Sequence, residues 1–347
     1  MLHQVTIKDI AKRLRISVST VSRALRGSTE INASTRKLVM EVAAEMKYSP
    51  NPVALSLKEK KTRVIGVIVQ EIANNYCSLT IAGIEDWACK MGYNVLITQS
   101  HECFNTEVAN MHLLASRRVD GILITISNET KTLDHVREVM DKGIPVVMFD
   151  RVSDEINTHK VVVDDYQGAY DATRHLISQG HKKIAHLTIS RHLGITQNRL
   201  NGYLDALRTE NIRPNKNWIL FCDFNEIANG QMIRKLVKDK NRPTAIFCSV
   251  ERLSMLCLKV LKELNIQIPE EIALAGFSDN PLGKYLNPAL TTVNQPTFSI
   301  GQKATELLID LIEDEIQPEA FKIIQLQTTL NIRASSMEVE KASNVEN

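Results

Sequence analysis

Residues 17–27 read SVSTVSRALRG. At helical spacing Val18, Val21, Ala24 and Leu25 form a narrow apolar stripe, and Ser19, Thr20, Ser22 and Arg23 stand on the other side. A solvated surface helix usually carries Glu, Lys and Gln there, because Ser and Thr are indifferent helix formers. Short donors on a rigid rod suit a surface that must approach another molecule closely. Upstream, Thr6 is placed to cap a first helix, with Asp9 three residues on and Ile7, Ile10, Ala11 and Leu14 on its apolar face. LRISVS then makes a tight turn, and Ser17 caps the second helix. A third helix, from about Ser34 to Met46, puts Val39, Val42, Ala43 and Met46 on one side, enough to close a small core. Two short helices joined by a tight turn are a helix-turn-helix pattern, whose second helix would enter a DNA major groove. There Ser and Thr reach phosphates and base edges, and Arg23 can pair with guanine O6 and N7. A purely structural helix bundle is the other reading of the same pattern.

Charge favours the first of these. Residues 1–63 hold 13 Lys and Arg against 5 acids, a net +8, whereas the remaining 29 basic and 35 acidic residues give −6. A basic head on a mildly acidic body is the asymmetry expected when the head alone meets a polyanion. The 347 residues suffice for two or three domains, and 44% apolar with 24% charged residues is ordinary for a globular chain. Six cysteines (Cys77, Cys89, Cys103, Cys222, Cys248, Cys257) form no C-x-x-C pair and read as free thiols in a reducing cytosol. The N-terminus has charges where a signal peptide needs an apolar core, and no stretch approaches a membrane span. The expectation is a cytoplasmic protein.

After the third helix comes YSPNPVALSLKEKKTR. Pro50 and Pro52 stop that helix, Asn51 can cap, and Pro52 can start a short helix to about Lys58. About two turns are too few to be stable alone in water, so this hinge should order only when something holds it. Leu55 and Leu57 then either dock on the next domain or act as an apolar wedge in a minor groove.

The segments VTIKDIAKRLRISVSTVSRALRG (5–27), YSPNPVALSL (48–57) and RVIGVIV (63–69) resemble the opening of LacI/GalR-type bacterial transcription regulators, and the resemblance runs over nearly the whole chain. It implies base reading by Val18, Ser19 and Arg23, with Ser17, Thr20 and Ser22 on the DNA backbone. Leu57 matches the leucine that such proteins insert at the centre of a palindromic site. Thr6, Asn51 and Ala54 complete the expected DNA-contacting set. Where the family usually carries arginine in the hinge, this chain has Leu55.

From Val64 the chain alternates apolar runs of strand length (VIGVIV, NVLIT, GILITI, PVVMFD, then KVVVD, KIAHLTI, WILFCD, TAIFCS, IALAGF) with amphipathic helices. This rhythm predicts parallel sheets covered on both faces. The whole is expected to be an all-α helix-turn-helix head plus an α/β body of two doubly wound parallel-sheet subdomains, similar to periplasmic sugar-binding proteins. The expected divisions are 1–49 for the head, 50–62 for the hinge and 63–335 for the effector-binding and dimerisation body. Within the body, 63–164 plus 294–324 and 165–293 plus 325–335 form the subdomains, a long helix lies near 299–314, and 336–347 is a disordered tail.

Ligands of such sheets bind beyond the carboxyl ends of the strands, here between two facing subdomains. That rule nominates Tyr76, Gln99, Ser100, Asp150, Arg151, Arg199 and Phe224. Arg199 also matches the family's R-x-x-G arginine, which the resemblance assigns to a polar group of the ligand. Val250 and Glu251 stand where the family commonly has Asn-Asp, and Ser278, followed by Asp279, where it often has Asp after G-F. Val250 and Ser278 therefore belong to the candidate site as departures from a familiar sugar or purine pocket. A functionalised sugar, a phosphorylated metabolite and no ligand remain open.

No G-x-G-x-x-G, P-loop, G-x-S-x-G or H-E-x-x-H occurs, and the nine His are scattered without ligand spacing, His101 and His112 included. No enzyme activity, cofactor or metal is expected. The expected partners are double-stranded DNA with a palindromic operator, a small-molecule effector of sugar-like type and a second copy of the chain. The rival is a cytoplasmic sugar-like binding protein whose basic head does not read DNA sequence.

Overall fold

In the head, three apolar faces close on one another. The computed structural model describes residues 5–49, 61–278, 280–314 and 320–337, so the hinge positions Asn51, Ala54, Leu55 and Leu57 lie outside the described residues. The chain divides into two units at Thr62 and Arg63. The first contains α1 (Ile7–Leu14), α2 (Val18–Leu25) and α3 (Ala33–Glu45). Ile10, Ala11, Val21, Ala24, Val39, Val42 and Ala43 are buried together, with Ile7, Leu14, Leu25 and Met46 half-buried around them. Arg15, at φ 55°, ends α1 in the left-handed conformation, its N–H turned back to the carbonyls of Ala11 and Lys12, and this makes the tight turn into α2.

Val18 departs from the expected stripe: it is 38% exposed, while Val21 and Ala24 are buried. As the first residue of α2 after the Ser17 cap it projects beyond the reach of the small core, so it belongs to the outward face.

The second unit carries two six-stranded sheets. The first runs in the order β2 (Asn94–Gln99), β1 (Val64–Val69), β3 (Gly121–Ile124), β4 (Val146–Phe149), β5 (Lys160–Val163) and β11 (Ile323–Leu326). The second runs β7 (Ile219–Phe221), β6 (Ile184–Thr188), β8 (Ala245–Cys248), β9 (Ala273–Phe277), β10 (Thr291–Asn294) and β12 (Thr329–Asn331). All neighbours are parallel except β12, which runs antiparallel to β10. Central strands such as β3, β4, β8 and β9 are buried throughout, as their continuous apolar runs require. The edge strands β2, β7, β11 and β12 are half-exposed, because each has a neighbour on one side only.

The chain passes between sheets three times: after β5, after β10 and between β11 and β12. The boundary expected at 324/325 shifts, since β11 reaches Leu326 before β12 starts at Thr329. The long helix α11 occupies Thr297–Glu313, two residues earlier than its expected start. It crosses α4 (Asn75–Lys90) at contact distance, and a Cβ on either Gly83 or Gly301 would collide with a backbone carbonyl oxygen of the facing helix.

The expected tail also begins too early. Ala334–Ser336 form a short 3-10 turn in which Ser335 and Ser336 are buried. The Ser335 hydroxyl donates to the Leu274 carbonyl at 2.6 Å, and the Ser336 hydroxyl lies 2.7 Å from His175 Nε2. Polar side chains are drawn inward here because they satisfy buried backbone and imidazole groups. Residues 338–347 lie outside the described residues. All six cysteines are free, with Cys89 exposed and Cys103 partly so.

Candidate functional site

Two arrangements of side chains stand out, one in each unit. On the head, Ser17 accepts the Thr20 N–H at 3.0 Å, capping α2, and its hydroxyl lies 2.7 Å from Ser19 Oγ and 2.8 Å from Thr20 Oγ1. Ser17, Val18, Ser19 and Arg23 are exposed on one continuous surface, with Thr20 and Ser22 partly covered at its margin. Arg26 donates to Ser22 Oγ at 2.7 Å, and Arg23 Nη1 stands 3.3 Å from Glu30. Thr6 is exposed at the start of α1, its N–H and hydroxyl both donating to Asp9. The surface therefore offers short hydroxyls, one methyl-bearing apolar group and a guanidinium on a capped helix, the inventory that reads base edges and phosphates. Glu30 was not legible as a partner of Arg23, because it sits in an irregular connection where no periodicity applies.

In the body, α5 (Phe104–Ser116) and α6 (Asp134–Asp141) cover the first sheet, and α7 (Asp165–Ser178), α8 (Gly194–Thr209), α9 (Glu226–Lys238) and α10 (Glu251–Glu263) cover the second. A cavity of about 660 Å³ lies at the carboxyl ends of the strands, with walls from both subdomains. Its size is that of a small-molecule site. Tyr76 from α4, Asp150 and Arg151 after β4, Arg199 from α8, Phe224 after β7, Val250 after β8 and Ser278 after β9 all line it. Asp150 at φ 59° and Ser278 at φ 85° hold left-handed backbone at equivalent strand ends of the two subdomains. Such conformations cost non-glycine residues about 1–3 kcal/mol and cluster at ligand sites.

Gln99 and Ser100 do not line the cavity, and the expectation that they contact a ligand is corrected. They end the edge strand β2, where Gln99 Oε1 accepts the Ile72 N–H at 2.8 Å and Ser100 is fully buried, its N–H donating to Val69 O. Both brace the segment between β1 and α4, just before Tyr76. Residues that pattern reading missed are Gln70, Glu102, Arg252 and Gln295. Gln70 stands directly beyond the apolar run of β1, a signal available in the sequence, whereas Gln295 follows the polar strand β10 (TTVN), which carries no such mark. Glu102 and Arg252 come from a loop and a helix start with no such mark.

The cavity floor is electrostatically braced. Arg199, 4% exposed, donates from Nε to Asp165 at 2.7 Å and from Nη1 to the Ser249 carbonyl, with its guanidinium 3.7 Å over the Phe277 ring. Burial pushes the Asp165 carboxyl up to about 6, with Arg199 opposing the shift. Arg151 pairs with Glu102 at 2.7 Å, and the same Glu102 oxygen accepts the Asn128 N–H. Burial likewise raises Asp150, partly offset by Arg151 and Arg199, and raises the Tyr76 phenol far above its ordinary range beside Asp150. Arg252 stacks 4.1 Å over Phe224 and donates to the Asp223 carbonyl.

Several polar atoms around the cavity have no hydrogen-bond partner among the described residues: Tyr76 Oη, Arg151 Nε, Glu251 Oε2 and Gln295 Nε2. Buried polar groups are nearly always satisfied, which makes these four atoms candidate ligand contacts. Among the described residues no cluster of His, Cys, Asp and Glu could hold a metal ion, and no helix is long and apolar enough to cross a membrane.

Comparison with known proteins gives a consistent picture. A family model described as bacterial regulatory proteins, lacI family, matches residues 6–51, and one described as a periplasmic binding protein-like domain matches 173–336. The chain is 31% identical over 310 residues to the HTH-type transcriptional repressor PurR of Aliivibrio salmonicida, covering 89% of this chain and 93% of that one. It is 31% identical over 330 residues to the ribose operon repressor of Haemophilus influenzae, covering 95% and 98%. A crystal structure of the Lac repressor dimer bound to operator and the anti-inducer ONPF superposes with a TM-score of 0.83 at 23% identity, over 97% of this chain and all of that one. This last likeness is one of fold.

Proposed function

Because the chain belongs to the lacI family of bacterial regulatory proteins, it is a DNA-binding regulator of transcription, and we propose that it acts as a cytoplasmic homodimer. In this reading it represses from a palindromic operator, and a small polar molecule in the body's cleft sets its affinity for that site. The observation that carries the proposal is the union, in one chain, of a capped helix with an outward Ser17, Val18, Ser19 and Arg23 face and a ligand-sized cavity rimmed by unsatisfied polar atoms.

Arg23 supplies the bidentate fork for guanine, Val18 an apolar contact for a thymine methyl, and the hydroxyls contacts to backbone and bases. Asn51, Ala54 and Leu57 extend the contact through the hinge, and Thr6 adds a phosphate contact at the start of α1. Two heads on a palindrome require a two-fold dimer. A ligand that bridges the cleft favours one closure of the subdomains over another, and the heads and hinges answer to that choice. Coupling of ordinary size changes operator affinity roughly 5- to 150-fold. The similarity to a ribose operon repressor supports a sugar or sugar derivative as the ligand. The regulator reading assigns no catalytic residue.

The test is to find metabolites that raise the melting temperature of the full-length protein, then to titrate labelled genomic DNA fragments with and without each of them. Tight retention of a few fragments, altered by a metabolite, supports the proposal. Equal retention of all fragments, or indifference to every stabilising metabolite, contradicts it.

A further inference from the structure

The charges around the cleft do not balance, and the imbalance has chemical content. The guanidiniums on its walls are unevenly engaged: Arg199 is held by Asp165 and the Ser249 carbonyl, Arg151 meets Glu102 but leaves its Nε unmatched, and Arg252 has the Phe224 ring and the Asp223 carbonyl but no carboxylate among the described residues. Glu71 has His101 at 3.0 Å. Two carboxylates that line the cavity have no ion pair among the described residues, Asp150 on one subdomain and Glu251 on the other. Glu251 Oε1 accepts from Asn280 at 2.6 Å, but its Oε2 is buried and unmatched.

Both residues are half-buried, and a carboxylate partly withdrawn from water is costly unless a donor meets it. Asp150 feels Arg151 and Arg199 nearby without an ion pair to either, and Glu251 Oε2 meets no donor among the described residues, so a ligand can bring the missing donor. The same cavity buries two further polar groups, the Tyr76 hydroxyl and the Gln295 amide, each at least nine-tenths buried and without a partner. The unmatched end of the amide is its Nε2, which can only donate, and a ligand acceptor would satisfy it.

Resting on the reading that this cleft is the effector site, we propose that the effector carries a protonated amine together with uncharged hydrogen-bonding groups, as in an amino sugar. Asp150 takes the ammonium, Glu251 accepts from the opposite wall, and the Gln295 amide donates to a ring or hydroxyl oxygen. A molecule with one ligand arm on each subdomain bridges the cleft as closure requires. A phosphorylated metabolite brings its charge against two carboxylates that have no ion pair, a repulsion that an amine avoids.

Isothermal titration of the full-length protein with glucosamine, galactosamine and mannosamine, their neutral parent hexoses and the corresponding 6-phosphates tests this. The expected result is one amine that binds at least about tenfold more tightly than its parent and its phosphate, the scale of one charge-assisted hydrogen bond. In Asp150→Asn that preference should vanish. Asn is well suited to left-handed backbone, and Glu251→Gln, which should reduce the preference, serves as a second variant. No amine exceeding its neutral parent, or a preference untouched in both variants, overturns the proposal.

The cleft reading fails separately. A neutral or phosphorylated sugar that binds best, and loses its affinity in Phe224→Ala, leaves the cleft in place and removes the amine. A sugar whose binding is unchanged in Phe224→Ala, Asp150→Asn and Glu251→Gln alike binds elsewhere and removes both.

Discussion

Arg199→Ala should weaken the body far more than loss of a ligand contact would. Arg199 and Asp165 are each 4% exposed, and their ion pair sits on the floor of the cleft with the Ser249 carbonyl as a third partner. Removing the guanidinium strands a buried carboxylate and orphans that carbonyl, and breaking one side of such a pair costs about 3–5 kcal/mol. The stranded carboxyl can escape by taking up a proton, so the loss must depend on pH. With Arg199 present, burial already pushes Asp165 up to about 6. A folded-state pKa above the unfolded value means that the folded protein binds the extra proton, so this group's contribution to stability falls as pH rises from about 4 to 6. Without Arg199 the pKa rises further, and the variant should lose less at pH 5 than at pH 8. The double variant Asp165→Asn/Arg199→Ala should recover at least about 1 kcal/mol at pH 8, because the buried charge is gone. The assay is urea unfolding followed by Trp218, which packs in the same subdomain, in a Trp87→Phe background that leaves it as the single tryptophan. A loss below about 1 kcal/mol, or one equal at pH 5 and pH 8, would refute the reasoning.

Three other outcomes follow from the geometry. Arg23→Ala should relax sequence preference by about 1–3 kcal/mol at one base position of each half-site while general DNA affinity declines little; equal loss on specific and random duplexes, measured by anisotropy, speaks against base reading. Phe224→Ala removes an exposed ring from the cleft wall together with the platform under Arg252, so it should weaken effector binding about tenfold or more with melting temperature nearly unchanged; full affinity in titration calorimetry would remove Phe224 from the site. Gly301→Ala drives a methyl into the Thr80 carbonyl and must part α4 from α11, lowering stability by about 1–3 kcal/mol; an unchanged melting temperature contradicts the close crossing.

Much of this was written in local pattern. Continuous apolar runs marked the central strands, and Thr6 and Ser17 marked helix starts through capping chemistry that operates within four residues. The rule that ligands sit beyond strand ends nominated Tyr76, Asp150, Arg151, Arg199 and Phe224, and comparison with the family pattern added Val250 and Ser278; all seven line one cavity. It failed for Gln99 and Ser100 because β2 is an edge strand whose end turns into its own loop, a property of strand order that local sequence does not carry. Val18 failed as a core residue because hydrophobic periodicity cannot tell the first helical residue, which overhangs a small core, from those behind it. The partners of Arg199 were also hidden: Asp165 and Ser249 lie 34 and 50 residues away, on different elements of the subdomain. Consequently an arginine that motif matching offers to a ligand is one whose donors the fold already uses.

The central claim is that the second helix of the head reads DNA sequence. Selection of bound sites from a random duplex library by the full-length protein, at near-physiological salt where unspecific phosphate attraction is reduced, tests it most directly. The account predicts recovery of a palindrome whose half-sites lose a preferred guanine when the selection is repeated with Arg23→Ala. Recovery of sequences no different from the starting library, with and without the stabilising effector, would contradict it.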